Sequence, residues 1–514
     1  MSDTNIVKKN SFKTLNTLFW SISASIFGYV ISFFVTPYIS GKMGIEAYGY
    51  VTLTKTIVEY GTLISTALNS YAVRFIGVEY HKKNYDKANA YYNSVLIANG
   101  VLGFFVLFLA VLFAVNMNSF LKVPAGLLSD VRKLFILSFV NFAITTIMAV
   151  LSAAAYLKDK LDYYYAFRTF GYLAEGLSLI FLFRFGNANL YYIGVGYVID
   201  SLVILISRIW MTGKLTPELQ FSKHFFRLAL VKELVLNGIW NSINALGNIL
   251  NSGLDIMITN LMLSSSELGL LGVVKNFPVM FVMVYQLTAQ LFQPALLKCY
   301  AQNDKEGLKS KLTFSMKMSG LVTYIVFAGF VAIGENFYRL WLPGENAGVL
   351  YILTILALLP NAFEGIIYPC YYIYTLYVKN KIPCLITVIC GILNVVSMYF
   401  LIKNTSAGVY AVLATTVFVM AITSFITNPI YMCRCLKVNK RFLYKTILRG
   451  IFSCAAMSVV LRWIGKGLAP DSWISLAGTV LLLVLTGAGI YYLLMFNLEE
   501  KKMISQKIRS VLKS

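Results

Sequence analysis

Residues 101–115 have the sequence VLGFFVLFLAVLFAV, which contains no charged or polar side chain. A helix built from this stretch is apolar on every face, whereas a helix at the surface of a water-soluble protein has an apolar and a polar face. Similar runs recur along the 514 residues, and the whole chain is 58% hydrophobic and only 13% charged, with a mean hydropathy of +0.71. The sequence therefore predicts an all-α integral membrane protein.

The apolar runs divide the chain into about fourteen predicted transmembrane helices, each long enough to cross a bilayer, which takes roughly 20 residues. These spans lie near 15–39, 48–72, 91–117, 130–157, 164–184, 189–211, 233–262, 270–296, 312–334, 349–377, 383–402, 406–430, 446–465 and 473–497. Because the connections are short, we expect no separate catalytic domain.

The basic residues indicate the orientation of the chain. Lys and Arg outnumber Asp and Glu by 44 to 22, which gives a formal net charge of +22. Most of the cations outside the spans fall in the N-terminus and in every second loop after it, and positive residues in short loops stay on the cytoplasmic side. We therefore expect both termini in the cytoplasm, and the net charge requires no nucleic-acid partner.

The chain resembles itself at an offset of 220 residues, without a gap. The aligned pairs are Trp20 with Trp240, Ser32 with Ser252, Gly49 with Gly269, and Lys55 with Lys275. A parallel repeat of this kind is typical of transporters and predicts two pseudo-symmetric six-helix lobes around a central cavity, with two C-terminal helices added. Chance similarity between apolar segments is the alternative.

This repeat gives a division of the chain. The parts are a cytoplasmic N-terminus (1–14), an N-lobe (15–211), a cytoplasmic inter-lobe linker (212–232), a C-lobe (233–430), two further spans (446–497) and a cytoplasmic basic tail (498–514). We expect the tail to lie as an amphipathic helix on the anionic inner leaflet.

Cations inside or beside the spans are candidates for substrate binding, because a charge placed in lipid costs a few kcal/mol or more. They are Lys55, Arg74, Arg168 and Lys275. A cationic cavity suits a phosphate or diphosphate group, since ammonium and guanidinium groups replace the water that the anion gives up. As alternatives, Lys55 can be neutralised by Glu59 one turn away, and Arg168 can snorkel to the surface, as we expect for Lys317.

Five acids in the spans are candidates for coupling transport to H⁺ or Na⁺, and their spacing does not choose between them. They are Glu59, Glu175, Asp200, Asp255 and Glu364. We predict no catalytic residues, metal site or other cofactor: no P-loop, paired-carboxylate site or nucleophile elbow is present in the sequence. The chain is therefore not expected to be an enzyme.

Two segments resemble a known family. The sequences TPYI at 36–39 and MGIEAYGY at 43–50, followed by Leu68-Asn69-Ser70 and Arg74-Phe75-Ile76, are similar to the start of Wzx-type bacterial polysaccharide repeat-unit flippases. These belong to the multidrug/oligosaccharidyl-lipid/polysaccharide (MOP) exporter superfamily. Glu267-Leu268-Gly269, ahead of Lys275, is similar to the start of that family's second lobe.

The resemblance implies a flippase of the bacterial cytoplasmic (inner) membrane. Its substrate would be an undecaprenyl-diphosphate-linked oligosaccharide, moved from the cytoplasmic to the outer leaflet by alternating access for O-antigen, lipopolysaccharide or other surface polysaccharide synthesis. Besides this substrate and membrane lipids, the resemblance implies a polysaccharide polymerase and a chain-length regulator as partners.

Three alternatives remain open. A lipid II flippase and a multidrug/cation antiporter of the same superfamily would both be expected to carry charge in the first span, and residues 15–39 have none. A membrane glycosyltransferase or O-antigen polymerase would need a sizeable outer loop for catalysis. The longest predicted outer loop, about 334–349, is short for that role.

Overall fold

The structure is a computed structural model that describes residues 3–502 and 505–506, with side chains from residue 16 onward. This described part contains helices and no strands, which confirms the all-α prediction. In the basic tail, residues 498–502 and 505–506 are helical. The remainder of the amphipathic helix predicted there lies outside the described residues.

The helices follow one another with short connections. In the first half they are α1 (Asp3–Met43), α2 (Ile45–Asn69), α3 (Ala72–His81), α4 (Tyr85–Val115), α5 (Met117–Phe120), α6 (Leu128–Ile147), α7 (Ala153–Leu157), α8 (Leu161–Phe185), α9 (Tyr192–Leu215), α10 (Leu228–Ser252), α11 (Leu254–Met262) and α12 (Ser265–Val274). Then come α13 (Asn276–Gln290), α14 (Gln293–Ala301), α15 (Lys305–Trp341), α16 (Ala347–Ile367), α17 (Tyr372–Leu376), α18 (Lys381–Asn404), α19 (Val409–Ile422), α20 (Asn428–Leu436), α21 (Arg441–Leu468) and α22 (Trp473–Met495).

The chain is a multi-pass membrane protein. Of the described helices, eleven are long and apolar enough to cross a membrane, or twelve if a bent pair, Leu128–Ile147 with Val150–Leu157, forms one span. Two other predicted spans correspond to α2 and α10, which are more polar but have 25 residues each, or about 37 Å of helix. The count of fourteen stays a prediction.

The helices form two compact units. Unit 1 comprises Met1–Ile249 with Gly253–Val273, and unit 2 comprises Leu250–Ser252 with Val274–Ser514. Nearly all of α10 belongs to unit 1 because it packs closely on α2: Gly238 lies directly against the Ala67 carbonyl, and Ser242 Oγ donates a hydrogen bond to Leu63 O at 2.7 Å. The lobe boundaries drawn from the sequence placed this helix in the C-lobe.

Within unit 1, two repeat-related segments cross each other at glycines. A Cβ atom added to Gly49 on α2 would lie 2.7 Å from the backbone N of Gly269 on α12. Thr52 and Gly272, also 220 residues apart, are joined by a 3.4 Å hydrogen bond from Thr52 Oγ1 to Gly272 O. Residues that the offset of 220 aligns thus lie next to each other at this crossing.

The linker after α9 is attached to α4 by side-chain amides. Asn89 donates a hydrogen bond to Glu218 O and accepts one from Gln220 N, both at 2.8 Å. Asn93 donates to Gln220 O at 2.9 Å and accepts from Ser222 N at 2.8 Å. Four residues of helix rise about 6 Å and two residues of extended chain about 6.6 Å, so asparagines four apart match alternate linker residues.

In unit 2, prolines break two membrane helices, and hydroxyl groups bind the carbonyls that the breaks release. Proline has no N–H for the carbonyl four residues earlier. The Tyr444 hydroxyl donates to Phe425 O at 2.6 Å, four residues before Pro429, next to a π-helical segment, Thr423–Thr427. At a second break, Pro369, a serine hydroxyl binds the released carbonyl in the same way, as described below.

Candidate functional site

Arg168 on α8 and Asp200 on α9, both predicted to be functional, form an ion pair in unit 1. The guanidinium donates a hydrogen bond to Asp200 Oδ2 at 3.1 Å and another to the Tyr172 hydroxyl at 2.7 Å, and its Cζ lies 4.2 Å from the Tyr172 ring centroid. The Asp200 side chain is 8% exposed and that of Arg168 32%. Arg168 is therefore held by an acid and a tyrosine rather than extended towards the membrane surface.

Glycines give the acids of this site room between α8 and α9. A Cβ at Gly171 would collide with Asp200 Oδ1, and one at Gly196 would lie 3.2 Å from Glu175 Cγ. Small residues let membrane helices approach closely. Glu175 and Asp200 are each 6% exposed, so both carboxyl groups are packed within the protein.

Lys55 on α2 belongs to the same group of charges as Arg168, Glu175 and Asp200. Lys55 and Glu59 lie one turn apart, and both are exposed. Lys55 and Arg168 each lie close enough to Glu175 for their charges to interact, and so does Asp200. The structure thus brings together four of the predicted residues, two cations and two acids, which we call the unit 1 charge cluster: Lys55, Arg168, Glu175 and Asp200.

Arg208 is a cation that the sequence analysis did not single out. It lies on α9 two turns after Asp200, with which its charge interacts, and its guanidinium donates hydrogen bonds to Tyr164 Oη and Met148 O, both at 3.0 Å. Its position eight residues after Asp200, within the sixth predicted span, was the available signal. Arg74, by contrast, lies exposed on α3 and makes none of the contacts described for the charge cluster.

Asp255 and Lys275 lie at helix breaks in different units. In unit 1, Asp255 is 1% exposed near the start of α11, where its Oδ1 accepts the Ile256 N–H at 2.8 Å. In unit 2, Lys275 lies between α12 and α13, and its Nζ donates to Ser252 O at 2.8 Å. Because Ser252 is the last residue of α10, Lys275 places a positive charge where helix carbonyls lack partners.

Glu364 on α16 lies among tyrosines in unit 2. The Tyr285 hydroxyl lies 3.2 Å from Glu364 Oε2 and 3.4 Å from Asn361 Oδ1, and donates to both. Tyr371 also forms a side-chain hydrogen bond with Glu364. The sequence analysis named Glu364 but did not predict its tyrosine neighbours. Tyr285 lies on α13, and Tyr371 lies in the turn that follows α16.

Lys317 does not snorkel, which corrects the expectation for this residue. Its Nζ binds both carboxylate oxygens of Glu500 at 2.8 and 2.7 Å, and the two side chains are only 9% and 17% exposed. Glu500 is held in turn by the Asn497 N–H at 2.9 Å. A charge in α15 thus finds its partner beyond the end of α22, and this ion pair attaches the start of the tail to unit 2.

The described residues thus form a helical membrane fold with charged side chains within it. The chain belongs to the family described as polysaccharide biosynthesis protein, which matches residues 15–299, more than half of the chain. It is also 26% identical over 492 residues to the uncharacterized membrane protein EpsK of Bacillus subtilis (strain 168), covering 95% of this chain and 97% of that protein.

Solved structures with the same fold are flippases and transporters. The lipid II flippase MurJ in an inward closed conformation matches with a TM-score of 0.64 at 14% identity, over 92% of this chain and 99% of MurJ. An inward-facing multidrug resistance MATE family transporter of the MOP superfamily matches with a TM-score of 0.62 at 11% identity, over 80% of this chain and 96% of that one. Family and fold together confirm the resemblance to polysaccharide flippases of the MOP superfamily.

Proposed function

We propose that the protein translocates undecaprenyl-diphosphate-linked oligosaccharide repeat units from the cytoplasmic to the outer leaflet of the bacterial cytoplasmic membrane. Membership of the polysaccharide biosynthesis protein family carries this proposal. The fold, which is shared with a lipid II flippase and with a multidrug resistance MATE family transporter, supports it. Both termini lie in the cytoplasm, as the Lys and Arg distribution predicts.

The unit 1 charge cluster supplies groups for the diphosphate. Arg168 offers a planar fork of N–H donors that suits phosphate oxygens, and Lys55 adds an exposed ammonium group. Asp200 holds the Arg168 guanidinium in place before the substrate arrives. Once the substrate is bound, Asp200 competes with the diphosphate for this guanidinium. Protonation of Asp200, or of Glu175 beside it, would weaken this competition, so these two acids are the first candidates for coupling to an ion gradient. Arg74 and Lys275 remain further candidates for the diphosphate, and Glu59, Asp255 and Glu364 for the ion.

A lipid II flippase is the second candidate, because MurJ has the same fold over nearly its whole length. A multidrug antiporter shares the fold as well. The lack of charge in residues 15–39 counts against both.

Complementation tests the proposal. We would express the chain in a bacterium that lacks its polysaccharide repeat-unit flippase, and score surface polysaccharide and the lipid-linked unit accumulating inside. Rescue is expected, and Arg168→Gln should lose it. Lys403→Gln, at the outer end of α18, is the matched control and should rescue fully.

Rescue of a strain depleted of its lipid II flippase, with no rescue of polysaccharide export, would contradict the proposal in favour of the second candidate. Full rescue by Arg168→Gln would leave the function standing but remove Arg168 from the binding site.

A further inference from the structure

Unit 2 contains an open cavity of about 190 Å³ whose walls are largely aromatic. Three tyrosines line it, Tyr368, Tyr371 and Tyr372, together with Gln293 and Thr375. The three tyrosines are half-buried, so each ring has one part packed in the protein and another facing the cavity. The volume is below the roughly 300–1,000 Å³ of sites for drug-sized ligands. This space suits a single small ring.

A proline break creates the cavity. Tyr368–Tyr371 form a 3₁₀ turn between α16 and α17, with Pro369 within it. The carbonyl of Gly365, four residues before this proline, accepts a 2.6 Å hydrogen bond from Ser319 Oγ, which stabilises the break. In an unbroken α-helix, successive side chains are rotated by about 100° about the helix axis. In the 3₁₀ turn, residues three apart lie above one another, so Tyr368 and Tyr371 form one wall.

The wall is held in one arrangement before any ligand binds. The Tyr368 ring centroid lies 4.9 Å from that of Tyr285 and 5.5 Å from that of Tyr371. Asn428 Nδ2 donates to the Tyr371 hydroxyl at 3.2 Å, and Gln286 hydrogen-bonds to Tyr368. Binding therefore requires little ordering of these side chains, which favours affinity.

The chemistry of the wall selects the ligand. Aromatic faces pack against apolar C–H surfaces, while the Gln293 amide and the Thr375 hydroxyl each offer a donor and an acceptor. The residues that line the cavity include no Lys, Arg, Asp or Glu. The wall has no cation to neutralise a phosphate. It matches a sugar ring, which is apolar on its faces and carries hydroxyl groups at its edge. Tyrosine faces also attract organic cations, and the test below distinguishes the two ligands.

We propose that this cavity binds a neutral sugar ring of the oligosaccharide. The inference rests on the proposed function and deepens it: the charge cluster of unit 1 serves the diphosphate, and the tyrosine cavity of unit 2 serves a sugar. The loop that follows α17 carries Lys379, and α18 begins at Lys381. The charge pattern assigns both lysines to the cytoplasmic side, where the substrate is loaded.

Saturation-transfer NMR tests the inference on the purified full chain in lipid nanodiscs. The probes are the methyl glycosides of glucose, galactose and N-acetylglucosamine, with tetramethylammonium as a cationic probe. At least one glycoside should receive saturation, and tetramethylammonium should not compete with it. Gln293→Ala should weaken binding about fivefold, the effect of one lost hydrogen bond, and Tyr368→Ala should abolish it.

Two controls separate binding from folding. Tyr368→Phe keeps the ring and should keep the signal, while Tyr410→Ala removes an exposed tyrosine of the same unit outside the cavity and should change nothing. If Tyr368→Ala does not fold, Gln293→Ala carries the test alone.

The inference is overturned if no glycoside binds, if Gln293→Ala and Tyr368→Ala bind as the unchanged protein does, or if tetramethylammonium displaces the sugar. Complementation is scored independently. Rescue without glycoside binding would overturn only the sugar site, whereas glycoside binding without rescue of polysaccharide export would overturn only the proposed function.

Discussion

Alanine at the glycine crossing of α2 and α12 should destabilise unit 1. In Gly49→Ala the new Cβ would lie 2.7 Å from the backbone N of Gly269, and in Gly269→Ala it would lie 2.5 Å from the backbone O of Ile45. Carbon contacts are favourable at about 3.5–4.0 Å. Since the obstructing atoms are backbone, no side chain can rotate away, and the two helices must separate by roughly 0.8 Å.

The expected cost follows from two opposing effects. Overpacking of this kind costs about 1–3 kcal/mol, while alanine is favoured over glycine within a helix by about 1 kcal/mol. Gly100→Ala on α4 is the matched control, because its Cβ would meet nothing within 4 Å and only the favourable effect applies. The crossing variants should therefore be less stable than the control by about 1–3 kcal/mol.

Thermal unfolding in detergent, followed by size-exclusion chromatography, measures this difference. We expect similar losses for Gly49→Ala and Gly269→Ala, because each inserts one methyl group into the same crossing. The double variant should lose less than the sum of the two, since the first methyl group already separates the helices; the coupling is expected at about 0.5–3 kcal/mol. Strict additivity, or a Gly49→Ala protein as stable as Gly100→Ala, would refute the close crossing of α2 and α12.

Three further predictions concern contacts made by charged, amide and hydroxyl side chains. Glu500→Gln leaves the Lys317 ammonium buried without its anion and should destabilise the protein by up to about 3–5 kcal/mol, whereas adding Lys317→Met should restore most of the loss in the same thermal assay; no restoration would contradict the ion pair. Asn93→Ala removes two hydrogen bonds to the linker, so limited proteolysis should cleave the linker faster than in the unchanged protein, and an equal rate would argue against the attachment. Outside the membrane, the Tyr80 hydroxyl donates to Glu218 at 2.7 Å and lowers the pKa of that carboxyl group below its usual 4.5. The stabilisation is therefore present above about pH 4.5 and is lost as the pH falls through the lower folded-state pKa; Tyr80→Phe should reduce the difference between thermal midpoints at pH 7 and pH 4.

The sequence predicted residues of the charge cluster but not their pairing. Lys55, Arg168, Glu175 and Asp200 each stand out alone, as ionisable groups in apolar spans. Spacing along one helix suggested Glu59 as the partner of Lys55. The observed ion pair joins Arg168 on α8 to Asp200 on α9, which is 32 residues further along the chain. Periodicity within a helix carries no information on contacts between helices.

Helix breaks show a similar limit. The hydroxyl groups that bind the carbonyls released at Pro369 and Pro429 come from Ser319 and Tyr444 on other helices, which the sequence around each proline does not indicate. The tyrosine cavity depends on the first of these breaks.

By itself the sequence determined that the chain is helical and enters the membrane many times. Transfer into lipid depends on the sum of neighbouring side chains, and the backbone there must form its hydrogen bonds within each helix, so a window of about 20 residues contains the answer. Tertiary structure decided the partners: Asp200 for Arg168, Glu500 for Lys317 and Gly269 for Gly49. Those contacts depend on which helix faces meet, and helix faces in lipid are selected by packing and hydrogen bonds between segments distant in the chain.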